Sequence, residues 1–158
     1  MTSFAQQGYH VAWNLLVFSY SAAGKPFLQR ADGGSGPHFN VSHSGEMALV
    51  AFCADVELGI DVELVRDIAD TESIVRKFFC AEEVAQWMEL PAHLRRKAFY
   101  DCWTRKEAVV KALGGGLFVP LDAFQVSFSP TEAPPLRPKL HAFASGTTPT
   151  SQRGPSTT

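Results

Sequence analysis

The sequence predicts an α+β fold in which short antiparallel strands come first and helices follow. Its 158 residues suit one ordinary domain with a real hydrophobic core. Short strand-like patterns come first, such as the alternation of Ile60 and Val62 with Asp61 and Glu63. Further along, Phe99, Trp103 and Val110 recur at helical spacing. Alternation returns at residues 124–128, which we interpret as a closing strand.

The predicted elements follow one another in a simple order. Strands are expected at residues 15–20, 39–42, 47–53 and 58–63, with a glycine-rich loop at 22–37. Helices are expected at 71–79, 81–90 and 94–113, and the glycines at 114–116 should end the last one. Proline, serine and threonine accumulate from residue 129, so a disordered tail is predicted for 129–158.

Composition excludes several classes of protein. A hydrophobic content of 46% and a net charge of −2 describe a globular protein rather than a basic nucleic-acid binder. Cys53, Cys80 and Cys102 are odd in number and widely spaced, which fits reduced core thiols better than disulfides or a zinc site. No apolar run of about 20 residues appears, and the first residues lack a basic region typical of signal peptides. We therefore expect a cytoplasmic protein without membrane or nucleic-acid partners.

The last predicted helix carries charge where apolar residues should continue. Phe99 and Trp103 form an aromatic row, and Glu107 and Lys111 extend it at the same interval of four residues. Charge at such positions is costly to bury unless it is paired or bound to a ligand. For an isolated Glu–Lys pair, a solvated helix face is the commoner explanation.

A second acidic cluster lies upstream, in the predicted strand at residues 58–63. Asp61 and Glu63 share one strand face, about 7 Å apart, and repel each other unless a cation lies near them. A solvated edge would also tolerate them. Two carboxylates, a third such as Glu107, and oxygens from water and phosphate would make a magnesium site.

The segment Phe39-Asn-Val-Ser-His-Ser-Gly45 reads as a strand that ends in small hydroxyl residues around a histidine. Ser42, His43 and Ser44 offer donors suited to phosphate. A turn with local hydroxyl hydrogen bonds is the alternative. A nucleophile beside its base is a weaker one, because no Gly-x-Ser-x-Gly elbow is present.

Four motifs in order carry a family resemblance: Gly24-Lys-Pro26, Phe39-Asn-Val-Ser-His-Ser-Gly45, Gly59-Ile-Asp-Val-Glu63, and Trp103-Thr-Arg-Lys-Glu-Ala108 with Lys111. Over roughly residues 18–128 the chain resembles the 4′-phosphopantetheinyl transferase superfamily, in its two-lobed, surfactin-synthetase-activating type. The resemblance implies that superfamily's fold, with antiparallel strands packed with helices. It also implies a magnesium-dependent holo-acyl-carrier-protein synthase, which moves phosphopantetheine from coenzyme A to a serine of an apo acyl, peptidyl or aryl carrier protein.

The resemblance also implies roles for individual residues. Asp61, Glu63 and Glu107 would hold Mg²⁺, Glu107 or a water that it orients would take the serine proton, and Lys111 would stabilise the leaving group. His43 would meet the 3′-phosphate, and Lys25 and Pro26 would lie beside the adenine. The implied coenzyme A contacts are Lys25, Pro26, Ser42, His43, Lys106 and Lys111.

Only 23 residues precede Gly24, fewer than in most two-lobed members. We therefore expect a partial N-terminal lobe at 1–43, a complete transferase lobe with the metal site at 44–128, and possible self-association through uncovered apolar surface. A non-catalytic module that binds coenzyme A or a carrier protein is the alternative. Arg76-Lys77 and Arg95-Arg-Lys97 would guide an acidic carrier protein, or are solvated helix ends.

Overall fold

Two antiparallel hairpins and three helices make up the part of the chain that the computed structural model describes, residues 17–22, 24–29, 36–116 and 119–128. The prediction of antiparallel strands combined with helices is confirmed. The strands are β1 (Val17–Tyr20), β2 (Pro26–Gln29), β3 (His38–Ser44) and β4 (Met47–Cys53). The helices are α1 (Thr71–Phe78), α2 (Ala81–Glu89) and α3 (Ala92–Leu113), and a 3₁₀ turn follows at Leu121–Ala123.

Each hairpin is a separate two-stranded sheet. β1 pairs with β2, with Tyr20 opposite Pro26, and β3 pairs with β4, with Val41 opposite Val50. The prediction of a loop throughout 22–37 is wrong, because β2 lies within it. Pro26 lacks a backbone donor, yet it is tolerated as the first residue of this strand.

The predicted strand at 58–63 is also wrong in type, although the segment runs beside β3. Its backbone N–H groups at Ile60, Val62 and Leu64 donate to side-chain oxygens of Asn40, Ser42 and Ser44, at distances of 3.0, 3.2 and 2.9 Å. These side chains stand where a neighbouring strand would offer carbonyls. The polar residues of β3 therefore hold the segment without a backbone ladder.

The helices supply the core, and their predicted bounds agree with the structure within two residues. Val75, Trp87, Phe99 and Cys102 from the three helices are buried together with Phe79, which directly follows α1. None of the helices in the described ranges is long and apolar enough to cross a membrane.

Gly114 ends α3 as predicted. Its φ of 66° is left-handed, and its N–H donates to the carbonyls of Val110 and Lys111.

Residues 124–128 keep the predicted alternation but do not form the predicted strand. Phe124 and Val126 are buried, while the backbone of the segment is bound by helix side chains. The N–H of Val126 donates to Glu83, and Lys106 donates to the Phe124 carbonyl. Side chains, here from the helices, thus replace a partner strand as they do at residues 58–64. The predicted disordered tail at 129–158 lies outside the described residues.

Candidate functional site

Residues from β3, the 58–64 segment and α3 converge on one polar pocket of about 440 Å³. The structure brings together most of the predicted site, since this pocket is lined by Ser42, His43, Asp61, Glu63, Glu107 and Lys111. Trp103, one turn before Glu107, forms part of the same wall. The aromatic row of α3 therefore leads from the core directly into the pocket.

Asp61 is an enclosed carboxylate of this pocket, with only 5% of its side chain exposed. Its Oδ1 accepts hydrogen bonds from Lys111 Nζ at 2.5 Å and from Ser42 Oγ at 2.9 Å. Its Oδ2 is buried and has no hydrogen-bond partner among the described residues. A buried carboxylate oxygen without a partner is costly, so this atom suits an added cation.

Ser42 and Ser44 hold the two upstream carboxylates in place. Ser42 Oγ donates to Asp61, and Ser44 Oγ donates to Glu63 Oε2 at 3.0 Å, while both hydroxyl oxygens accept the N–H groups described above. Because each hydroxyl has a single hydrogen to donate, both donors are already used. In the structure Ser42 orients Asp61, and its contact with phosphate stays a prediction.

Glu107 completes the acidic side of the pocket from α3. Burial raises the pKa of its carboxyl above the usual range, and the charge of Asp61 raises it further. Lys111 acts in the opposite direction on that pKa, and Glu63 adds to the rise. Glu107 is thus a carboxyl whose charge is disfavoured until a cation compensates it.

The donor set fits a hard divalent cation. Three carboxylates line one pocket, one of their oxygens is orphaned, and oxygen is the ligand that Mg²⁺ prefers. Within the described ranges, no three His, Cys, Asp or Glu side chains stand as close together as the ligands of a bound ion do. Occupation would therefore require side-chain rotations that draw Glu63 and Glu107 toward Asp61.

A larger, mainly apolar cavity of about 580 Å³ adjoins the acidic pocket, because Val41, Glu107 and Lys111 line both. Lys25 and Pro26 line this cavity, as the prediction of a ligand contact requires. Lys25 forms an ion pair with Glu57 and donates to the Ala112 carbonyl at 3.2 Å. The two spaces together make a groove with a charged end and an apolar end.

Lys106 does not line either space, so its predicted contact with phosphate is corrected. Its side chain is fully buried, with Nζ 2.7 Å from Glu83 Oε2 and 2.8 Å from the carbonyls of Leu121 and Phe124. A group with three acceptors in the core has no free donor for a ligand. Helical geometry explains why Lys106 and Glu107 differ, since neighbouring side chains on a helix point about 100° apart. Of these two residues, Glu107 faces the pocket and Lys106 faces the core.

Several residues that matter for the site escaped the sequence analysis, notably Asn40, Glu57 and Glu83. Asn40 and Glu83 are buried polar residues within apolar patterns, and such a residue signals a required hydrogen-bond partner. Glu57 carries no comparable signal, because its role depends on Lys25, which lies 32 residues away.

The basic residues predicted to guide a partner have structural partners. Arg95 lies over the ring of Trp87 at 5.1 Å and donates to the carbonyls of Met88 and Leu90, so it caps α2. Its neighbours Arg96 and Lys97 pair with Asp67 and Asp101, and on α1 Arg76 pairs with Glu72. Lys77 lines the larger cavity.

Comparison with known proteins finds similarity to one family in both the family model and the individual relatives. The family model of the 4′-phosphopantetheinyl transferase superfamily matches residues 57–154. The chain is 38% identical to the 4′-phosphopantetheinyl transferase HetI of Nostoc sp. over 115 residues, which are 73% of this chain and 48% of that protein. It is 34% identical to the 4′-phosphopantetheinyl transferase Sfp of Bacillus subtilis over 109 residues, 69% of this chain and 46% of that protein.

A vertebrate relative matches a similar stretch. The chain is 29% identical to the L-aminoadipate-semialdehyde dehydrogenase-phosphopantetheinyl transferase of Xenopus laevis over 129 residues, 76% of this chain and 42% of that protein. The chain thus spans about half the length of the curated relatives it matches.

Proposed function

The chain belongs to the 4′-phosphopantetheinyl transferase superfamily, and on this basis we propose that it transfers 4′-phosphopantetheine from coenzyme A to a serine of an apo carrier protein. The superfamily and the surfactin-synthetase-activating type, both predicted from the four motifs, are confirmed by the family match and by the relatives. One observation carries the proposal: Glu107 and Lys111 stand where the acidic pocket meets the larger cavity.

The larger cavity is the proposed binding place of coenzyme A. Lys25 and Pro26 line it and are the proposed neighbours of the adenine. His43 is exposed at the acidic pocket, where its ring would meet the 3′-phosphate. The pyrophosphate would then lie near Lys111, which lines both spaces.

Asp61, Glu63 and Glu107 are the residues proposed to hold Mg²⁺, which when bound neutralises negative charge on the reacting phosphates. Ser42 and Ser44 orient two of these carboxylates through the hydrogen bonds described above. Lys106 is omitted from the proposed phosphate contacts because it is fully buried, whereas Ser42 lines the acidic pocket and is retained.

Proton transfer is assigned to Glu107. The serine hydroxyl of the carrier must lose its proton as its oxygen attacks phosphorus, and Glu107 or a water that it orients would accept it. With a divalent cation bound, Glu107 would be ionised, which is the form that accepts a proton. Lys111 would stabilise the adenosine 3′,5′-bisphosphate that leaves.

The lobe organisation and cellular location are also proposals. Residues 44–128 would form the lobe that bears the metal site, and residues 1–43 would belong to the other lobe. β3 crosses the boundary between them at residue 43. A cytoplasmic location is proposed because coenzyme A and carrier proteins would be met there.

Mass spectrometry tests the function directly. Several apo carrier proteins are incubated with this chain, coenzyme A and Mg²⁺, and a mass gain of one phosphopantetheine group is expected. Asp61→Asn is the matched control, since it keeps the shape of the side chain and removes its charge, and it should abolish the gain. No gain on any carrier, combined with calorimetric binding of coenzyme A, would instead identify the non-catalytic binding module.

A further inference from the structure

Lys111 and Asp61 form the tightest charged contact of the acidic pocket. Lys111 Nζ lies 2.5 Å from Asp61 Oδ1 and 3.1 Å from Ser42 Oγ. The lysine is partly exposed, with 30% of its side chain accessible, while its partner is only 5% exposed. The ammonium therefore reaches in from the edge of the pocket to compensate a carboxylate that cannot reach solvent.

This contact occupies one oxygen of the carboxylate that a metal ion would use and leaves the other without a partner. Mg²⁺ binds carboxylate oxygens at about 2.0–2.1 Å. An ion on Asp61 and the ammonium that lies 2.5 Å from Oδ1 would therefore be two cations on one carboxylate, and they would repel each other. The unpartnered Oδ2 of the same carboxylate offers a first contact from which a cation can displace the lysine. Ser42 accepts from Lys111 as well, and that hydrogen bond would be lost in the exchange.

We propose that Lys111 is an internal counter-cation that compensates the charge of Asp61 when no metal is bound and leaves when a divalent ion binds. The inference rests on the metal site proposed above, but concerns how the charge of Asp61 is compensated before a metal ion binds. Lys111 thereby weakens the binding of the metal alone. The displaced ammonium becomes available to phosphate at the wall that the two spaces share.

The exchange makes the binding of metal and phosphate mutually supportive. A phosphate group that draws Lys111 away from Asp61 removes the competitor of the metal, and by thermodynamic linkage the metal favours phosphate equally. A site with this arrangement binds the metal ion more weakly without phosphate than with it.

Calorimetric titration of Mg²⁺ into the chain without coenzyme A provides the first test. Lys111→Met and Lys111→Gln should each bind Mg²⁺ about tenfold more tightly than the unmodified chain, since the competing charge is gone. Lys97→Met is the matched control, because Lys97 lies on the same helix and pairs with Asp101 at the same 2.5 Å. It should leave the affinity unchanged. Equal or weaker binding by the Lys111 variants, or equal tightening by Lys97→Met, overturns the proposal.

Amine labelling of the unmodified chain provides the second test and needs no substitution. An acylating reagent modifies amines that are free, so Mg²⁺ should increase the labelling rate of Lys111 several-fold, measured by peptide mass spectrometry with Lys97 as internal reference. Most ligands protect the residues near them, so an increase is specific to displacement. An unchanged or reduced rate at Lys111 on saturation with Mg²⁺ overturns the proposal.

These outcomes separate the inference from the proposed function. Transfer of phosphopantetheine with no change of Mg²⁺ affinity in the Lys111 variants would leave the function standing and remove the inference. Tighter Mg²⁺ binding in those variants, combined with no transfer to any carrier by the unmodified chain, would leave the inference standing and remove the function. Absence of Mg²⁺ binding by all the variants and by the unmodified chain would overturn the inference together with the metal site.

Discussion

At the scale of single residues, Glu107 is the clearest case of a side chain that lines the candidate site and destabilises the fold when it is ionised. Burial and the charges of Asp61 and Glu63 disfavour its ionised form, and Lys111 only partly compensates. A carboxyl whose folded-state pKa is raised stabilises the fold fully below its unfolded pKa, and that contribution is lost as pH rises through the folded pKa.

The first prediction follows for Glu107→Gln without metal. At pH 7–8 the variant should melt at a higher temperature than the unmodified chain, because it lacks the repelled charge. Near pH 4 the difference should vanish, since the glutamate is then protonated as well. Calorimetric melting across this range measures it, with Glu82→Gln as a control for removal of an exposed carboxylate on α2. A lower melting temperature for Glu107→Gln at pH 8 contradicts the prediction.

Gly59 shows how a single residue also sets the distance between two elements. A Cβ added there would overlap the Ala108 carbonyl oxygen and crowd the Ala112 nitrogen, so the 58–64 segment lies directly on the backbone of α3. This contact brings Asp61 within reach of Glu107 and Lys111.

The second prediction is that Gly59→Ala destabilises the chain by about 3 kcal/mol or more, because backbone must move on one side of the contact. It should also weaken Mg²⁺ binding, since the movement carries Asp61 away from α3. Gly36→Ala is the control, because its Cβ would press on Leu28 at 2.9 Å, in β2. That variant should lose stability in urea denaturation and keep its Mg²⁺ affinity. Equal Mg²⁺ affinity in both variants would refute the positional role of Gly59.

At the scale of elements, the buried Glu83–Lys106 pair joins α2 and α3 to the segment that follows them. Both side chains are fully buried. Glu83 accepts the N–H groups of Cys80 and Val126, while Lys106 donates to two carbonyls of the later segment. A buried pair of this kind is costly to break from one side, because the remaining charge is then uncompensated.

The third prediction concerns this pair. Lys106→Met should lower the free energy of unfolding by about 3–5 kcal/mol, because it leaves a buried carboxylate unpaired. The double variant Glu83→Gln with Lys106→Met should lose clearly less than the sum of the two single losses. Urea denaturation of the four chains gives the coupling. Additive losses would show that the two charges do not depend on each other.

The elements also show what could and could not be predicted from the sequence. The helices and the β3–β4 hairpin were predictable, because their apolar spacing and the terminating glycine of α3 are local signals. The segments at 58–63 and 124–128 have strand-like alternation, yet side chains of Asn40, Ser42 and Lys106 bind their backbones. No local pattern reveals a distant side chain that replaces a strand.

The candidate site likewise contains residues that could be predicted from the sequence and one that could not. Asp61, Glu63, Glu107 and Lys111 were predicted and line one pocket, because each motif carries its charge on the correct face. Lys106 was misassigned, since its buried partner Glu83 lies 23 residues earlier on another helix, outside the motif that named the lysine.

At the scale of the whole molecule, the β3–β4 hairpin presents an apolar face. Val41, Val50 and Phe52 share that face by register, and about half of each side chain is exposed, at 44%, 53% and 51%. Contiguous apolar surface of this kind favours association.

The fourth prediction is that the chain self-associates with increasing concentration. Val50→Lys should shift sedimentation velocity profiles toward the monomer without lowering the melting temperature, because the side chain lies on the surface. Val65→Lys, which replaces an equally exposed valine outside the hairpin, is the control and should leave the profiles unchanged. A chain that stays monomeric at all concentrations tested excludes this association.

The three polar side chains of β3 that hold the 58–64 segment have a kinetic consequence. Peeling the segment from the hairpin breaks the bonds at Ile60, Val62 and Leu64, and it also strips Asp61 and Glu63 of their serine partners. Partial opening is therefore disfavoured relative to opening as a unit. The amide hydrogens of these three residues should exchange with solvent deuterium at a common rate, set by one opening event that releases the carboxylates at the same moment.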